Sequence, residues 1–139
     1  MYGVDKTSNI QYKMEQSQIS EREKRIQRYL VENKKYFPQS RMSDIKKKVY
    51  DLTDEQLDQV EWIEFKDPSM MTLIAVLLGM FGVDRFMLDD VKFGVMKLLG
   101  TLLTFGIVGL VWWFIDLFNI TERTVTYNYK KFSDTISFI

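Results

Sequence analysis

The sequence has no cysteine and no histidine among its 139 residues. Without cysteine there is no disulfide and no thiolate chemistry, and the redox compartment cannot be read. Without histidine, a Ser-His-Asp triad, a Cys-His pair and a His-ligated metal site are all excluded within the chain. Proline is scarce, with only Pro38 and Pro68. An excess of either charge is missing too, because 19 basic residues are matched by 19 acidic ones. That balance speaks against a nucleic-acid-binding protein, which usually carries a basic excess. No glycine loop of the phosphate-cradling kind and no placed pair of acids is found, so neither an enzyme nor a cofactor is expected. The first 30 residues lack a basic-then-apolar pattern, so no secretory leader is expected. No repeat or low-complexity segment appears.

The charges that are present are unevenly spread. Residues 1–67 hold 13 of the basic and 13 of the acidic residues. Residues 68–120 hold only Asp84, Arg85, Asp89, Asp90, Lys92, Lys97 and Asp116. The tail 121–139 is polar again. Three regions follow: a polar helical region 1–67, an apolar region 68–120 and a polar tail.

The first 17 residues lack a clear period and are expected to be disordered. Ser20 and Glu23 have capping-box spacing, which predicts a helix from Ser20 to Phe37, stopped by Pro38. Met42, Ile45, Val49 and Leu52 make the apolar stripe of a second helix. Thr53 and Gln56 open a short third one. These helices are expected to pack together or to meet a protein partner.

Between Pro68 and Val83 there are 16 uncharged residues, and between Leu98 and Ile115 there are 18. At about 1.5 Å per residue these runs make helices of roughly 24 and 27 Å. A bilayer core is about 30 Å thick. Two helices apolar all round need a large protein around them or lipid. The sequence therefore predicts an all-α integral membrane protein: a two-helix hairpin with a small cytosolic helical region. Asp84 and Arg85 are expected to orient the turn at the outer surface, with Phe86 anchoring it back into the apolar layer. Asp90 is positioned to cap the second helix. Lys97 and Asp116 are read as charges at its two interfacial ends, too far apart to pair along one straight helix. Thr72, Ala75, Gly79 and Gly82, with Gly94, Thr101 and Thr104, form stripes of small residues suited to close helix packing, within the chain or between copies. Basic residues flanking the runs outnumber those of the turn, so both termini are expected on the cytoplasmic side.

These residues resemble the TM2 domain family. The resemblance is carried by Gly79 and Gly82, Asp84-Arg85-Phe86, Leu88, Lys97-Leu98-Leu99, and Trp112 or Trp113 with Asp116. Asp89 stands where the family usually has glycine. The resemblance implies a small bacterial protein of the cytoplasmic membrane, crossing it more than once. It implies no activity. Two functions remain open from the sequence. One is a membrane module that anchors and self-associates while its cytosolic helices bind protein. The other is an oligomeric pore, including a membrane-disrupting effector.

Overall fold

The computed structural model describes residues 6–139. It is 87% helix with no strand among the described residues. Helix α1 covers Lys6–Asn33, α2 Met42–Asp51 and α3 Asp54–Glu61. The apolar region contributes α4 Pro68–Leu78, α5 Val83–Met87 and α6 Val91–Leu103, and α7 runs Ile107–Phe138.

The second half of α1, with α2, α3 and the far half of α7, builds a small polar-surfaced unit. Its core is Ile26, Tyr29, Leu30, Phe37, Ile45, Val49, Leu52, Leu57, Val60 and Phe132. The stripe predicted for α2 supplies three of these, Ile45, Val49 and Leu52, and Met42 packs against them. The capping box at Thr53 is present. Gln56 N–H donates to Thr53 Oγ1 at 3.2 Å, and Thr53 N–H to Gln56 Oε1 at 3.0 Å.

Two expectations for α1 need correction. It is already helical at Lys6, well before Ser20, because residues 6–19 contain no glycine or proline to interrupt it. Residues 6–17 are thus helical and exposed, while the rest of the segment expected to be disordered, residues 1–5, lies outside the described residues. The helix also ends early, at Asn33. A 3₁₀ turn, Lys34–Tyr36, follows it, and Phe37 is extended, as a residue before proline prefers. That turn seats the Phe37 ring between Phe65 and Phe132, with centroids 4.8 and 5.3 Å away.

The apolar region differs more. Among the described residues no helix is long and apolar enough to cross a membrane. The first run bends at Gly79–Phe81, a 3₁₀ turn closed by Gly82 at φ 78°. Gly82 also lies against the Gly94 carbonyl, which an added Cβ would approach to 3.0 Å. Short α5 then turns back. It ends in a Schellman closure, in which Asp90 N–H donates to Arg85 O at 2.9 Å and Asp89 N–H to Phe86 O at 3.2 Å. Asp89 takes the left-handed position, φ 58°.

The second run is not one helix. Phe105 (φ 52°) and Gly106 (φ 91°) reverse the chain, and Gly106 N–H donates to Thr101 O at 2.8 Å. Helices α6 and α7 therefore lie antiparallel. Their axes approach so closely that a Cβ on Gly109 would meet Thr101 Oγ1. The tail expected after residue 120 is the continuation of α7. Its buried residues Asp116, Ile120, Thr124, Asn128 and Phe132 recur every fourth position and run from the apolar region into the polar unit's core.

Candidate functional site

Where α5, α6 and α7 meet, six charged side chains converge. The reversal at Phe105–Gly106 folds Lys97 back against Asp116, and Nζ donates to Oδ2 at 2.6 Å. The expectation that these two residues mark opposite ends of one helix is thus overturned by the break between them. Asp116 Oδ1 accepts from Arg85 Nη2 at 2.8 Å and from Arg123 Nη2 at 2.6 Å. Arg85 Nη1 also donates to Asp90 Oδ2 at 3.0 Å. Asp84 lies 3.6 Å from Lys97 Nζ and 3.9 Å from Arg123 Nη1, within ion-pair reach of both, and its two oxygens accept no hydrogen bond.

The centre of the cluster is enclosed, while Arg85, Asp90 and Arg123 are partly exposed at its rim. Asp84 and Lys97 are 0% exposed and Asp116 is 2% exposed. Asp84, Asp90 and Asp116 balance Arg85, Lys97 and Arg123. Removing charges from water is costly, and mutual pairing in a low-dielectric setting offsets that cost only while every partner is present. The chemistry of this arrangement is mutual neutralisation, and it clamps three helices at one level. Among the described residues, no group of three or more acids is arranged to hold a metal.

The three residues of the turn motif point three ways. Asp84 is buried, so it does not face water at an outer surface as the sequence suggests. Arg85 bridges Asp116 and Asp90, with its guanidinium 5.7 Å from the Phe93 ring centroid. Phe86 covers Gly94, where an added Cβ would stand 3.0 Å from Cζ. Asp90 makes no side-chain cap on α6 because Arg85 engages it instead.

The small residues also lie at contacts within the chain. Thr72 Oγ1 is 3.5 Å from Thr121 Oγ1. Ala75 O accepts from Trp113 Nε1 at 2.8 Å, and Gly79 faces the same indole, with Cδ1 3.0 Å from where a Cβ would stand. Thr101 Oγ1 donates to Lys97 O and lies 3.2 Å from Met80 O. Thr104 Oγ1 accepts from Val108 N–H at 3.2 Å and so caps the start of α7.

Arg123 is the member that sequence reasoning missed. The signal was available, since Arg123 stands seven residues after Asp116, two turns along the same helix face. It was hidden by reading residue 121 as the start of a separate tail. A family model described as TM2 domain matches residues 64–118, which contain all of the cluster except Arg123. No curated protein and no solved structure matches the chain. The glycines, the Asp-Arg-Phe turn, Lys97 and Asp116 all lie in this one matched segment, so residues 64–118 are similar to a TM2 domain.

Proposed function

We propose that this protein is a non-enzymatic membrane anchor. Its apolar end embeds in a bilayer, and its polar helical unit stays at the membrane surface as a platform for protein contact. One observation carries the reading: large apolar side chains are exposed along α4, α6 and α7 beyond an ion cluster whose centre is buried. Leu73, Leu77, Leu99, Leu102, Leu103, Phe105, Leu110, Phe114 and Phe118 all face outward. Contiguous apolar patches beyond a few hundred Å² are rare on soluble monomers. TM2 domains are also generally membrane-associated. The excess of basic residues flanking the apolar runs favours the cytoplasmic face for the polar unit.

The pore alternative is weaker on the same geometry. Its motive is intramembrane charge, yet Asp116 is paired with Lys97 and with two arginines. The small-residue stripes are also occupied inside the chain, so self-association would use the outer apolar surface. The test is fractionation. The chain is expected to stay with membranes through an alkaline carbonate wash. Leu103→Glu with Phe105→Glu should release it, since a carboxylate at depth costs several kcal/mol. Release of the unaltered chain by carbonate would sink the reading. Mass in detergent then reads self-association.

A further inference from the structure

We propose that the apolar end enters one leaflet only. It dips in from the face that holds the polar unit, and the turn at residues 88–92 stays on that same face. This rests on the membrane reading above and specifies the surface it would occupy.

The first argument is length. From Phe105 to Phe118 is about 20 Å of helix at about 1.5 Å per residue, and α4 is about 17 Å long. The hydrocarbon core is about 30 Å thick, so one leaflet offers about 15 Å. The apolar surface matches a leaflet with a small overlap and falls well short of a span.

The second argument is the far end. The bends at Gly79–Gly82 and Thr104–Gly106 contain no charged residue. Phe105 is 99% exposed, Leu103 79% and Ile107 71%, all beside one bend. A segment emerging into a second water layer would put polar or snorkelling side chains there. Backbone donors at this bend are instead engaged internally. Thr104 N–H donates to Gly100 O at 3.1 Å, and Ile107 N–H to Thr104 O at 3.2 Å. Irregular backbone away from water needs such partners.

The third argument is where the other turn goes. Asp89 Oδ2 accepts from Tyr127 OH at 2.8 Å. The next residue, Asn128, donates to Tyr36 O at 2.9 Å and accepts from Lys66 N–H at 2.8 Å, so it belongs to the polar unit. The 88–92 turn is therefore tied to the polar end, and its Lys92 is exposed.

The absence of cysteine makes single-cysteine labelling clean. Ser17→Cys, Lys92→Cys and Phe105→Cys, each in the full chain, would be exposed to a membrane-impermeant maleimide in spheroplasts and in inverted vesicles. Positions 17 and 92 are expected to label from the same side. Position 105 should stay unlabelled from both sides until detergent is added. A fluorophore at 105 should be quenched several-fold more by a nitroxide lipid labelled near the bilayer centre than by one labelled at the headgroup. Labelling of position 92 from the side opposite to 17, or of 105 from that opposite side, would overturn one-sided entry while leaving membrane embedding intact. Recovery of all three variants in the soluble fraction, labelled without detergent, would overturn both.

Discussion

Asp116 holds three cations with two oxygens, so it is the residue whose loss the cluster tolerates least. Asp116→Asn leaves Lys97, Arg85 and Arg123 short of a countercharge in an enclosed setting. We expect it to lower stability by about 3–5 kcal/mol, the usual cost of breaking a buried pair from one side. Thermal unfolding in detergent reads this. Lys97→Met should cost a similar amount, and the double change Lys97→Met with Asp116→Asn should cost less than the sum, because the two residues are directly bonded. Additive losses would mean that the two charges are independent. A second polar residue makes a different point. Asn128 is fully buried, yet its amide is satisfied by Tyr36 O, Lys66 O and Lys66 N–H. Asn128→Ala leaves those backbone groups without partners and should cost on the order of 1–3 kcal/mol.

At the level of elements, the small-residue face of α4 separates from its outer face. Gly79→Leu drives a side chain into the Trp113 indole and should cost about 1–3 kcal/mol, whereas Leu77→Ile, outward-facing, should be near neutral by the same melting assay. The start of α4 carries a pH dependence. Asp67 caps it by accepting from Ser69 N–H at 2.8 Å, and pairs with Lys35 at 2.7 Å. Lys35 first, and then the Ser69 amide, hold the Asp67 carboxyl below the usual carboxylate range. A folded-state value below the unfolded one adds stability at higher pH, and this is lost as pH falls through the folded value. Asp67→Asn, which keeps a capping oxygen, should therefore melt below the native chain at neutral pH, with the gap closing in acid. Much at this scale was legible in the sequence. The α2 stripe, the Thr53 capping box and the inward-facing small residues follow from spacing and side-chain size. The reversal before α7 was not legible, because Phe105 fills a left-handed position that normally announces itself as glycine. With that bend hidden, Lys97 and Asp116 read as charges at opposite ends of one helix, and the ion cluster, which exists only once the chain folds back, could not be seen.

For the whole molecule, α7 is the shared part. Asp116 serves the cluster and Phe132 the core of the polar unit, 16 residues along the same unbroken helix. Phe132→Ala should cost about 3–5 kcal/mol. It should also raise hydrogen exchange in α2 and α3, which lie far from it in sequence but share its core. An effect confined to the end of α7 would show that the polar unit stands without it. A chain emerging from the ribosome makes α1, α2 and α3 first, and domains tend to fold as units in the order they are synthesised. Here the first-made unit lacks its closing side chains until α7 is complete: the carbonyl of Tyr36 waits for Asn128, 92 positions later. The apolar segments between them are made during that wait, so an unfinished chain exposes both apolar surfaces at once.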